Sequence, residues 1–222
     1  MQPFDYLYAQ MRLEGKGFTP PDRLTRLPTA DDDVPLVLIA QLADATIKVF
    51  FGELLTAEIR AQLILHAHAL QFPLVTPIRQ VLDSHGIRTQ LGHFRTYLFP
   101  TRVSTTDAPV QQYDADDPKI RAFDFAGFGT PIFAIEQAGQ IRSACVSVRE
   151  NDQCGEAWVY TAPDYRHQGL ARNVVTAWAQ SLIGVGKIPF YSHKIDNRGS
   201  AGLAHRLGLV PVFEEISITR EA

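Results

Sequence analysis

The run Cys154-Gly-Glu156-Ala-Trp158-Val159-Tyr160-Thr161-Ala-Pro163-Asp-Tyr165-Arg166-His167-Gln168-Gly169-Leu170-Ala171 changes its conformational signal twice. Trp158 to Thr161 are bulky and β-branched, the types that suit a pleated, half-buried strand. Pro163 ends that strand, because proline has no ladder donor and biases the preceding residue toward an extended shape. After Gly169 the spacing becomes helical. Leu170, Val174, Val175, Trp178 and Leu182 recur on one face, and Gly184 and Gly186 supply the stop. The segment therefore reads as strand, basic glycine-containing loop, helix.

That order has chemical consequences. A helix start leaves backbone N–H groups unpartnered and concentrates the positive end of the peptide dipoles. A phosphate or pyrophosphate satisfies both. Gly169 lets a ligand approach the backbone closely, Ala171 is nearly as small, and Arg166, His167 and Arg172 add side-chain donors. An ordinary strand-to-helix turn decorated with arginines is the competing explanation, and it prevails if the loop is taken by itself.

Arg166-x-x-Gly169-x-Ala171 after a strand resembles the coenzyme-A pyrophosphate loop of the GNAT acetyltransferase superfamily. A second match follows. The short strand signal Ile188-Pro-Phe-Tyr191, then Asp196-Asn197-Arg-Gly-Ser200 and a helix ending in Leu207-Gly208-Leu209, resembles the superfamily's strand, Asn, small residue, helix, Leu-Gly-Phe signature, with Leu209 where Phe is usual. Each motif is weak alone; the two in order are specific. The resemblance covers about Ile132 to Ile218 and is closest to a bacterial branch with an extra N-terminal region. It implies an α/β (α+β) GNAT acyl-CoA N-acyltransferase fold with a mixed, largely antiparallel twisted sheet, plus an N-terminal α/β lobe.

The rest of the chain fits around this core. Its 222 residues, 45% hydrophobic and 20% charged, suffice for one large domain or two small ones. A formal net charge of −3 gives no case for bulk nucleic-acid binding. Two cysteines, Cys145 and Cys154, form neither a disulfide framework nor a zinc motif, and no metal site is expected. Gln2-Pro3-Phe4-Asp5 lacks the features of a signal peptide, and no apolar run approaches the roughly 18 residues of a membrane span. A cytoplasmic setting without membrane or nucleic-acid partners is the expectation; a homodimer and a monomer are both open.

Residues up to about Pro28 are expected to form a short helix and an irregular arm, and Asp31-Asp32-Asp33 a solvated turn. Val34–Ala40 and Ile47–Phe51 read as paired strands. Thr56 caps a helix reaching about Leu70, Thr76-Pro77 opens another that Gly86 ends, and Arg95–Phe99 is a strand stopped by Pro100. His66 and His68, two positions apart on the helix, are poor partners for one metal ion. Thr101 to Asp117, rich in Thr, Asp, Ser and Pro, is the expected boundary between a lobe at 1–115 and a GNAT domain at 120–222. The lobe is either a degenerate copy of the same core or an accessory that shapes the substrate cleft. Beyond it, Ile132–Glu136, a turn at Ala138-Gly139, Ile141–Arg149 and the 154–161 strand make three antiparallel strands, and Val210–Ile218 the last one.

The resemblance also assigns roles. Val159 and Thr161 would give main-chain contacts to the thioester end and the pantetheine arm. Arg166, His167, Gln168, Gly169, Leu170 and Ala171, with Arg172, would cradle the pyrophosphate of acetyl-CoA. Asn197 and Ser200 would touch the arm from the other side. Strand alternation puts Glu156, Trp158 and Tyr160 on one face, making Glu156 the candidate base and Trp158 and Tyr160 acceptor-pocket walls. The tyrosine that often protonates the departing thiolate would fall at Ala204. Tyr191 or Tyr160 could take its place, and His193 is a further substrate-binding or base candidate. The expected activity is direct transfer of an acetyl group from acetyl-CoA to a primary amine of a small or amino-acid-like acceptor. A non-catalytic acyl-CoA sensor is the alternative that the missing tyrosine motivates. A Mg²⁺-nucleotide site is disfavoured, since the loop lacks a Gly-Lys-Ser/Thr ending.

Overall fold

A computed structural model describes residues 2–20, 22–27, 34–100, 108–123, 125 and 127–221. In chain order they form α1 (Pro3–Leu13), β1 (Lys16–Thr19), β2 (Arg23–Arg26), β3 (Val37–Leu42), β4 (Ile47–Gly52), α2 (Ala57–Ala67), α3 (Thr76–Ser84) and β5 (Thr89–Leu98). Then come β6 (Gln111–Tyr113), α4 (Pro118–Ala122), β7 (Ile132–Gln137), β8 (Gln140–Glu150), β9 (Cys154–Thr161), α5 (Leu170–Gly184), β10 (Ile188–Lys194), α6 (Arg198–Arg206) and β11 (Val210–Arg220). The fold is α/β with mixed, mostly antiparallel strand pairing.

Two compact units result, Met1–Thr96 with Pro211–Ala222, and Tyr97–Val210. The division falls inside β5 and at the start of β11, rather than in the Thr101–Asp117 stretch. Part of that stretch, 101–107, lies outside the described residues, as does Asp31-Asp32-Asp33.

The first unit orders its strands β1-β2-β4-β3-β11-β5. The pair β3–β4 is antiparallel from Val37↔Phe51 to Gln41↔Ile47, as the two apolar runs require. Thr56 Oγ1 accepts the Ile59 N–H at 3.3 Å and starts α2, whose Ile59 and Leu63 are buried against Ile78 and Leu82 of α3. The arm after α1 is not irregular: β1 and β2 pair antiparallel from Lys16↔Arg26 to Thr19↔Arg23. Strands of four residues carrying Lys, Thr and Arg give little periodic signal. The hairpin is held instead by Phe18, whose ring meets Phe4 at 5.8 Å and Phe50 at 5.4 Å.

In the second unit the order is β10-β9-β8-β7-β6. Ala138 and Gly139 both take positive φ, 53° and 78°, in the two-residue turn between β7 and β8. The predicted apolar stripe of α5 lies on one side of these strands. Val174, Val175, Trp178 and Leu182 are buried with Cys145, Ala157 and Tyr191. Gly155 makes the approach possible: a Cβ there would stand 2.8 Å from Leu182 Cδ1. Trp178 Nε1 donates to Ser147 Oγ at 3.0 Å, which satisfies the indole in the core. The opposite side is covered by α4 and by Phe125, packed on Ile132, Ala134, Ala144 and Val146.

Truncating Trp178 to alanine removes both the largest buried side chain of this unit and its hydrogen bond. The expected loss is about 3–5 kcal/mol in urea unfolding. A loss below ~1 kcal/mol would mean that α5 is not the clamp described here.

Candidate functional site

The site begins where two strands part. β10 runs parallel to β9 through three pairs, Ile188↔Cys154, Pro189↔Gly155 and Phe190↔Glu156. β9 then continues to Thr161 and β10 to Lys194 without further pairing. Past Glu156, the β10-facing backbone edge of β9 is therefore open to an extended ligand. The gap opens into a cavity of about 560 Å³.

Each wall comes from a different element. Val159, Tyr160 and Thr161 of β9 form one side, and Tyr191 of β10 faces them. Arg166, His167, Gly169, Leu170, Ala171 and Arg172 make the end of the cavity at the start of α5. Asn197, Ser200, Leu203 and Arg206 of α6 close it from the remaining side. Tyr165, Gly199, Leu203 and Arg206 were not singled out in the sequence. A helical period of three from Asn197 is the signal that could have found the last two.

The loop is built to leave the helix start empty. After Thr161 a short 3₁₀ turn, Pro163–Tyr165, carries the chain round, with the Arg142 guanidinium 4.4 Å above the Tyr165 ring. Gly169 takes φ 83°, which only glycine adopts at little cost, and it offers no side-chain cap. The first bond of the helix is Asn173 N–H to Gly169 O at 3.2 Å, so the N–H groups of Leu170, Ala171 and Arg172 await a partner. Arg166 Nε donates to Thr161 O at 3.2 Å, and its guanidinium lies 5.9 Å from the Tyr160 ring centroid. Three arginines and no acidic residue line this cavity, so it selects an anion.

The far wall is ordered by α6. Asn197 Oδ1 accepts the Ser200 N–H at 3.0 Å and caps the helix, leaving the amide NH₂ for the cavity. Tyr191 is 2% exposed and hydrogen-bonded to Ser200; burial is the main cause that pushes its hydroxyl up to about 12, so it remains a proton donor at neutral pH.

Four of the residues predicted from sequence stand elsewhere. The Gln168 side chain turns back to Asp164 O at 3.2 Å. Glu156 is 7% exposed, meets Arg149 Nη1 at 3.0 Å and does not line the cavity. Trp158 does lie on the same strand face as Tyr160, and the two are 48% and 40% exposed. They pack against Phe128 and Phe123, with ring centroids 5.9 and 5.5 Å apart. His193 is buried: Nδ1 donates to Lys194 O at 2.8 Å, and Nε2 meets Tyr97 Oη at 3.3 Å. Ala204 is packed in the core, where it offers no proton. Among the described residues no three His, Cys, Asp or Glu side chains converge as a metal site would need, and no helix is long and apolar enough to cross a membrane.

Residues 108–214 match the family model "GNAT acetyltransferase". Over this stretch, just under half of its length, the chain is similar to a GNAT acetyltransferase domain. The GNAT match includes both cavity-forming strands, the loop and α6. Among solved structures, a GNAT-family protein from Novosphingobium aromaticivorans is 16% identical, covering 62% of this chain and 69% of its own, with a TM-score of 0.51. A GNAT-family acetyltransferase from Colwellia psychrerythraea is 12% identical over 81% of this chain and 79% of its own, with a TM-score of 0.52. Both likenesses are of fold. No curated protein matches the chain.

Tyr191 makes this site testable in alkali. Its folded-state pKa lies above the unfolded value of about 10, so its share of stability is complete below pH 10 and lost as pH rises toward 12. In a titration of tyrosinate absorbance, Tyr191→Phe should remove amplitude from the late part of the curve, near pH 12, and leave the early part unchanged. Loss of amplitude near pH 10 would show that the hydroxyl is not buried as described.

Proposed function

We propose that this protein transfers an acetyl group from acetyl-CoA directly to a primary amine of a small or amino-acid-like acceptor. The observation that carries the proposal is the cavity. An uncapped helix start, three arginines without a carboxylate, and an unpartnered strand edge share one space of about 560 Å³. Coenzyme A offers a diphosphate to the first two and an extended amide-bearing arm to the third. The family match supports the same reading.

In this reading the diphosphate lies on Arg166, Arg172 and the backbone of Gly169 to Ala171, with His167 at the rim. The arm runs along Val159 and Thr161, touched by the Asn197 amide, and the thioester lies near Tyr191, where β9 and β10 come together. A backbone N–H of β9 meets the carbonyl oxygen as negative charge grows on it. Trp158 and Tyr160 receive the acceptor on the strand face away from α5. The Tyr191 hydroxyl, poised by Ser200, protonates the leaving sulfur. Proton removal from the amine falls to Glu156 through water, and this requires its pair with Arg149 to loosen. Cys145 is buried and its thiol pushed well up by burial, which favours direct transfer over an acyl-cysteine route.

One observation favours a second reading, an acyl-CoA sensor without turnover: Ala204 stands where the resemblance expects the tyrosine acid. The two readings separate on the appearance of free thiol when acetyl-CoA is mixed with a panel of amines.

Acetyl-CoA at 100-fold over its Kd should add about 2.7 kcal/mol to the stability of the protein. For a chain of this size that is on the order of 5–10 °C in Tm. Arg166→Glu combined with Gly169→Asp places negative charge against the diphosphate and should abolish the shift. A double variant that keeps the wild-type shift would refute the loop as the cofactor site.

A further inference from the structure

Five aromatic side chains on the strand face away from α5 form one line of contacts. Tyr160 meets Phe123 with ring centroids 5.5 Å apart, Phe123 meets Phe125 at 5.6 Å, Phe125 meets Phe128 at 5.4 Å and Phe128 meets Trp158 at 5.9 Å. The ends of this line, Tyr160 and Trp158, are two positions apart on β9 and so stand side by side on one face. The rings therefore close into a horseshoe. Its middle is fixed, since Phe125 is buried among Ile132, Ala134 and Val146. Phe123 and Phe128 are half-buried, and Trp158 and Tyr160 leave large ring area in water.

Position ties the horseshoe to the cavity. Tyr160 belongs to both, and Trp158 lies on β9 beyond its last pair with β10, Phe190↔Glu156. A group resting on these rings is thus beside the gap between the two strands. Charge then gives it a direction. At the Tyr160 end the Arg166 guanidinium already lies 5.9 Å from the ring centroid, so an ammonium there would meet like charge, whereas a neutral flat ring would not. At the Trp158 end stands Glu156, the only carboxylate of β9, held by Arg149 and two positions away on the same face, or roughly 7 Å at strand rise. A molecule with a flat apolar group at one end and an amine at the other fits this order.

We propose that the acceptor is a primary amine joined to an aromatic ring by a short alkyl spacer, and that Trp158 and Tyr160 determine this specificity. The proposal rests on the reading that the cavity takes acetyl-CoA. The aromatic ring lies on the horseshoe in offset or edge-on contact, and the spacer carries the amine toward Glu156 and the parting of the strands. The ring makes and breaks no bond. Nitrogen bonds to the acetyl carbon, sulfur leaves with the electron pair of the C–S bond, and the proton that nitrogen sheds is matched by the one sulfur takes. Aliphatic amines and polyamines reach the same gap but leave the horseshoe wet, so they bind more weakly.

The chain has two tryptophans, and Trp178 is buried, so a ligand on the horseshoe is read from the red-edge emission of Trp158 without any turnover. The probes are phenethylamine, n-butylamine and putrescine, each titrated with and without CoA. Phenethylamine should quench and blue-shift that emission with a Kd about tenfold or more below those of the two aliphatic amines. In calorimetry Trp158→Ala should weaken phenethylamine about tenfold while CoA binds as before, and Trp158→Phe should restore most of the loss. Equal affinity for phenethylamine and n-butylamine overturns the proposal, as does tighter binding of putrescine. So does a dimer in sedimentation that shields Trp158, since that makes the horseshoe a contact between copies of the chain. If CoA does not bind while phenethylamine still quenches Trp158, the cofactor reading is lost and the horseshoe stands as a site for aromatic amines.

Discussion

β9 and β10 hold together for three residues and then lose one another, and the chemistry of the second unit follows from that parting. A parallel pair that continued would seal the backbone edge of β9 and leave no cleft. The pairing is secured on the closed side by Gly155, which lets α5 sit against the strand, and by the core around Trp178 and Ala157. On the open side α5 and α6 both begin, so two helix starts, one of them uncapped, face the gap. Rigid packing below the parting and an unfilled edge above it are one arrangement.

The charges divide along the same line. At the open end the arginines meet backbone donors and no acid, a setting suited to a dianion. Where the strands part, the cavity wall instead carries the buried Tyr191 and its partner Ser200. The strand face turned away from α5 differs again, since Trp158 and Tyr160 stay half exposed beside Phe123 and Phe128. One strand, β9, presents an anion-binding end, an amide-binding edge and an aromatic face. Alternation of side chains lets a single extended segment do this.

Much of this was legible in the residues. Local signals were sufficient for β9, the loop, α5 and α6, because periodicity, Pro163, Gly169 and the Asn197 cap act within a few positions. Alternation also put Glu156, Trp158 and Tyr160 on one face. Alternation alone does not reveal that Arg149, brought level by the irregular β8–β9 register between Ser147 and Arg149, occupies the Glu156 carboxylate. His193 was illegible for a related reason, as its partner Tyr97 lies far away in the chain. The β1–β2 hairpin is too short and polar to show a period.

The path of β11 has a consequence for the birth of the molecule. Phe213 to Ile218 pair with Leu42 to Val37, and β11 is ordered between β3 and β5. The first unit therefore lacks an interior strand until the ribosome has released the residues past Val210, whereas everything that builds the cleft, Tyr97 to Val210, has by then emerged. The usual order of domain maturation, amino-terminal before carboxy-terminal, is turned round for these two units: the first is begun before the second and completed after it.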